Sequence, residues 1–146
     1  YSQVFSFTAT AEDDNTVINP SPKNGTYNGY GSGPIFITSV LDTTFTNLPM
    51  EITVQETFDG SGVFDVTYDF DVNGINVNPT VEGIESGSNI VITNQSYNLL
   101  GFVDLLINDN ITFNGSNTAI TGNATLGSAS GSSIVVNGNL SYSATK

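Results

Sequence analysis

The side chains able to do chemistry in this chain are almost all carboxylates. Asp and Glu number 14 of 146 residues, there is no His and no Cys, and Lys23 and Lys146 are the only cations. The absence of His removes the usual general base near neutral pH and the commonest metal ligand. Ser-His-Asp and Cys-His arrangements are therefore impossible. No G-x-S-x-G elbow occurs, nor a glycine loop running into a phosphate-binding Lys. A Ser-Lys pair would need a buried lysine. Lys146 is terminal and Lys23 sits among Pro and Gly, so neither reads as one.

Carboxylate pairs remain. Asp65, Asp69 and Asp71 share one face of an alternating segment. Neighbours two apart on a strand lie roughly 7 Å from each other, within the range a glycosidase uses. Their alternation with Phe64, Val66, Tyr68, Phe70 and Val72 also accounts for them as the wet side of a sheet. Glycosidases bring Trp platforms, and Trp is absent. Asp13-Asp14-Asn15 and the pair Asp104 and Asp109 have a calcium-ligand flavour but do not match a D-x-[DN]-x-[DN]-G loop. The first reads as a solvated linker and Asp109 as a turn residue. Tyr27 and Tyr30 could stack on a sugar, although loop tyrosines more often pack back onto their domain. The expectation is a protein that is not an enzyme and holds no metal or other cofactor, N-linked glycans aside.

The elements around these residues read as strands. Thr, Val, Ile, Phe and Tyr are plentiful, Gly, Asn and Ser recur at turn spacing, and no window carries helical periodicity. Strands are predicted near 2–11, 34–41, 50–57, 63–72, 74–78, 88–93, 97–107, 110–114, 117–126 and 133–144, with residues 19–33 as a long Pro/Gly loop. Asn73-Gly74 is the best two-residue hairpin signal, and Asn137-Gly138 reads as a possible bulge. The prediction is an all-β chain: an antiparallel sandwich of immunoglobulin-like or pilin-like type, with a jelly roll or barrel as the alternative. The domain reading is an N-terminal strand at 1–11, an acidic linker at 12–15 and a head at 16–146.

A net charge of −12 argues against nucleic acid and against anionic membrane surfaces. No apolar run approaches a membrane span. The start at Tyr1 within a strand-like segment reads as a mature extracellular chain after signal-peptide removal. N-x-[ST] sequons stand at Asn24, Asn94, Asn110, Asn114, Asn123 and Asn139. Asn24 and Asn114 precede Gly in predicted turns, where a glycan would reach solvent.

The first segment carries the sharpest idea. Gln3, Phe5, Phe7, Ala9 and Ala11 fall on one face, while Ser2, Val4, Ser6, Thr8 and Thr10 fall on the other, and three adjacent acids follow. Such a strand either belongs to its own domain or completes the sheet of a neighbour by β-strand addition. An alternating N-terminal strand, an acidic linker and a helix-free polar head resemble a donor-strand pilin. The Arg-free, Cys-free, sequon-bearing composition resembles the thread pilins of thermoacidophilic archaea. The resemblance implies a glycosylated cell-surface filament, a head-to-tail homopolymer in which residues 1–11, with Val4 among them, form the subunit joint. A secreted carbohydrate-binding or adhesion module is the rival expectation.

Overall fold

The computed structural model describes residues 19–146. The donor-strand candidate Gln3, Val4, Phe5, Phe7, Ala9 and Ala11, and the acidic linker, lie outside the described residues. Among the described residues there is no helix. The strands are β1 (Gly25–Ile37), β2 (Leu41–Glu56), β3 (Val63–Val72), β4 (Ile75–Val77), β5 (Thr80–Ser86), β6 (Asn89–Leu99), β7 (Val103–Phe113), β8 (Ala119–Ser128) and β9 (Val136–Thr145).

All pairings are antiparallel, and every strand except β4 pairs with the next in sequence. β4 and β5 lie end to end along one edge of β3, pairing with Phe70–Val72 and Val63–Thr67 respectively. β9 pairs with β8 on one side and β1 on the other, which closes the sheet into an eight-stranded up-and-down barrel. The sandwich expectation is thus replaced by its barrel alternative. Closure needs the backbones of β1 and β9 to approach closely. A Cβ on Gly29 would meet the Ser143 carbonyl oxygen, and one on Gly33 would meet that of Asn139.

Those glycines explain a second correction. The stretch read as a loop over 19–33 is mostly strand β1, because its glycines serve strand contact rather than turning. The segment 97–107 is likewise not one strand. Leu100 and Gly101 adopt positive φ, 59° and 81°, and turn the chain between β6 and β7. Asn137-Gly138 lies in an unbroken register and is no bulge. The bulges fall instead at Gly31/Gly33 and between Ile92 and Gln95. The Asn73-Gly74 hairpin forms as expected, with both residues at positive φ, 54° and 88°, as a type I′ turn requires.

The period-2 pattern fills the lumen with apolar side chains. Ile52, Val54, Phe64, Val66, Ile90, Val103 and Ile111 are wholly buried. Burying each is worth roughly 1.5–3 kcal/mol, so the lumen is the core rather than a channel. The outer face of the strands carries mainly Thr, Asn, Ser, Asp and Glu.

Candidate functional site

Asp109, expected in a turn, sits in the middle of β7 and points into the barrel, 5% exposed. Its Oδ2 accepts the hydroxyls of Tyr68 and Tyr142, each at 2.6 Å. Its Oδ1 accepts the backbone N–H of Asn110 at 2.7 Å and of Asn123 at 3.1 Å. The β7–β8 ladder skips Asp109 to Ile111, and the carboxylate takes the Asn123 amide there instead of a backbone carbonyl. Gly122 makes the cluster possible, since any Cβ on it would collide with the Tyr142 ring. Burial raises the Asp109 carboxyl above its ordinary value, against the four hydrogen bonds that pull it down. Burial, with the neighbouring Asp109, pushes both tyrosines well up, so they stay neutral donors. Both oxygens of this carboxylate are thus engaged by internal donors.

Lys23 is also a correction: its Pro/Gly setting argued against a buried lysine, yet it is 7% exposed. Its Nζ lies 2.6 Å from Glu85 Oε2 and 5.6 Å from the centre of the Phe113 ring, across the end of the barrel. The Tyr27 hydroxyl donates to the Lys23 carbonyl at 2.8 Å. Glu56, buried nearby, accepts the N–H groups of Gly60 and Gly62 at 3.2 and 2.9 Å. These polar groups are partnered within the fold.

At its other end the wall opens beside the β3–β4 hairpin. The β2–β3 ladder stops at the Glu51–Asp69 row, next to Pro49. The β5–β6 ladder holds only the Ile84–Val91, Glu85–Ile90 and Ser86–Asn89 rows. Gly83 lets Ile90 and Ile92 cross close by, since a Cβ there would strike Ile90 and crowd Ile92. Beyond that point the Thr93–Asn94 bulge, with Asn94 at φ 48°, carries β6 along β7 and away from β5. Among the described residues the half-buried side chains of Gln95 and Tyr97 bridge the resulting gap, and Tyr97 also packs against the core. Gln95 Oε1 accepts the Glu82 N–H at 3.1 Å, and the Tyr97 hydroxyl donates to Asn78 Oδ1 at 3.2 Å. Beneath the hairpin lies a narrow cavity lined by Tyr68, Phe70, Val77, Pro79, Leu126 and their neighbours. No signal in the sequence marked this gap, because it arises from a register shift between strands.

The remaining sequence candidates scatter over the outer surface. Asp65, Asp69 and Asp71 are exposed; Asp69 accepts from Asn76 Nδ2 at 2.8 Å, and Asp71 accepts the Gly74 N–H of the hairpin turn at 2.7 Å. Asp104 is exposed and accepts from Asn98 at 2.6 Å, apart from the inward Asp109. Among the described residues no three carboxylates gather as a metal site would require. Tyr27 packs inside, whereas Tyr30 stands 59% exposed over a groove of about 460 Å³ lined by Asn28, Gly29, Pro49, Glu51 and Asp69. Of the sequons, Asn94, Asn110, Asn123 and Asn139 project from the strands into solvent. Asn24 is half-buried, with its Oδ1 accepting the Glu56 N–H. Asn114 is exposed, but its Nδ2 donates to Ser116 and Thr118 and its Oδ1 accepts two amides, so it closes its own turn.

Among the described residues no helix is long and apolar enough to cross a membrane. No protein-family model and no curated protein matches this chain.

Proposed function

We propose that this chain is the structural subunit of an extracellular filament, joined head to tail by its N-terminal strand, and that it works by association rather than by catalysis. The observation that carries the reading is the set of strand edges left without ladder partners beside the β3–β4 hairpin. The β3–β4 hairpin pairs within itself, and neither β2 beyond Glu51 nor β6 beyond Ile92 supplies a ladder row to it. Unpaired strand edges are templates for another chain. The sequence supplies an alternating ten-residue segment at 2–11 with two Phe on one face. Deleting residues 1–11 should abolish filaments seen by negative-stain microscopy and leave a head of monomer size. A deleted chain that still forms filaments would end this reading.

Glycans fit the same picture. The open sequons Asn94, Asn110, Asn123 and Asn139 lie on β6 to β9, while the described acids, apart from Asp104 and Asp109, lie between Asp42 and Glu85. We propose sugar on one side of the barrel and charge on the other. Native protein should then exceed the 15.4 kDa polypeptide mass, and peptide mapping should find the added mass on those strands rather than on Asn114.

A second reading is favoured by Tyr30. An exposed aromatic ring beside Asn28, Glu51 and Asp69 offers a stacking face and hydroxyl acceptors to a neutral sugar. Glycan-array binding lost in Tyr30→Ala would support an adhesive role. Equal binding by the variant, or none by either, would remove it.

A further inference from the structure

We propose that the acceptor for the N-terminal strand is the gap between β5 and β6 of a second copy, with residues 2–11 of one subunit lying between 78–82 and 95–99 of the next. The proposal rests on the filament reading and specifies the joint.

Backbone direction supports this edge. The Tyr68 N–H donates to the Pro79 carbonyl at 3.0 Å, so Pro79 faces β3 and its missing N–H is no loss on the gap side. The alternate residues Asn78, Thr80 and Glu82 then face the gap. The Glu82 N–H does so visibly, since it is held by the Gln95 side chain. The opening between β2 and β3 is a poorer template. Its β2 edge is interrupted by Pro49 and by Asn47 at φ 53°, and only Phe70–Val72 of β3 borders it.

The chain that would enter is long enough. Ten residues at about 3.3 Å each span the whole opening. Its apolar face would bring Phe5 and Phe7 against the apolar side chains of Phe70, Val77 and Pro79, which are buried in the head alone. Small Ala9 and Ala11 suit the pinch at Gly83, where Ile90 and Ile92 already crowd the backbone. Exposed apolar groups stand at both ends of the gap: Ile84 at one, 52% exposed, and Leu100 and Phe102 at the other, 53% and 57% exposed. They offer contact to the body of the neighbour. Because β5 and β6 run in opposite directions, the inserted strand must be parallel to one of them. The product is a nine-stranded wall.

The chain has no cysteine, so engineered pairs report cleanly. Phe7→Cys combined with Tyr97→Cys should form a ladder of disulfide-linked oligomers on a non-reducing gel. Phe7→Cys combined with Leu48→Cys, on the β2 opening, should not. A ladder through Leu48→Cys alone would overturn the β5–β6 assignment and leave the filament reading standing. A Tyr97→Cys disulfide closed within one chain would overturn insertion between copies. No disulfide in either folded variant, with the protein monomeric, would overturn both readings. If Tyr97→Cys does not fold, Gln95→Cys carries the same test.

Discussion

Two interruptions of the barrel ladder are closed by different chemistry. Between β7 and β8 the missing rows are replaced by a buried carboxylate that accepts a ladder amide and two tyrosine hydroxyls. Between β5 and β6, among the described residues, the missing rows are spanned by side-chain hydrogen bonds from half-buried Gln95 and Tyr97 to the exposed Glu82 and Asn78. The first interruption is a fixed part of the core. Hydrogen bonds in low dielectric are strong, and an orphaned partner is costly. The second is held by contacts that water can replace at little cost. In the proposed filament, the second gap is the edge that accepts a strand.

The contrast is broken most severely at Asp109. Asp109→Ala leaves two hydroxyls and two amides without their acceptor, and should cost about 3–5 kcal/mol in urea unfolding. A loss below about 1 kcal/mol would show that water readily enters the cluster.

Asp109→Asn sharpens the comparison. Asparagine keeps an acceptor for the two amides and offers its NH₂ to the tyrosine oxygens, so the variant should fold. The native Asp109 carboxyl titrates above the ordinary value of 3.8. Folding therefore favours its proton: the contribution is fully present below about pH 3.8 and is lost as pH rises through the raised folded value. Tyr68 and Tyr142 are pushed upward and stay out of this window. Repulsion among the surface acids also eases on acidification, in wild type and variant alike. Wild type should be at least as stable at pH 3 as at pH 8, and the advantage of Asp109→Asn over wild type should grow with pH. Melting curves in which that advantage shrinks as pH rises would reverse the assigned sign.

The smallest effect is expected at the open gap. Tyr97→Phe removes one exposed hydrogen bond to Asn78 and should change stability by less than about 1 kcal/mol. A loss comparable to that of Asp109→Ala would mean that the bridge is structural and the gap is not free to open.

Strand content was legible because period-2 alternation survives wherever one face is buried, as in Phe64 to Val72. The Asn73-Gly74 turn was legible for a local reason, its two positive φ angles. Closure was not, because it depends on Gly29 and Gly33 approaching a strand more than a hundred residues away. In sequence these glycines look like loop residues. Asp109 was misread because an acid between two asparagines has the composition of a turn. Its partners Tyr68 and Tyr142 come from other strands, and only the closed barrel brings them together. The β5–β6 gap was invisible for a related reason: the Thr93–Asn94 bulge is defined by register against β7 rather than by residue type.

Amide hydrogen exchange on the head lacking residues 1–11, with and without a peptide of residues 1–12, tests the acceptor directly. The N–H groups of Asn78 and Thr80 should exchange quickly in the head alone and slow by tenfold or more with peptide bound, while those of Leu41–Leu48 on β2 stay unchanged. Protection that appears on β2 instead, or no protection anywhere at saturating peptide, would contradict the account.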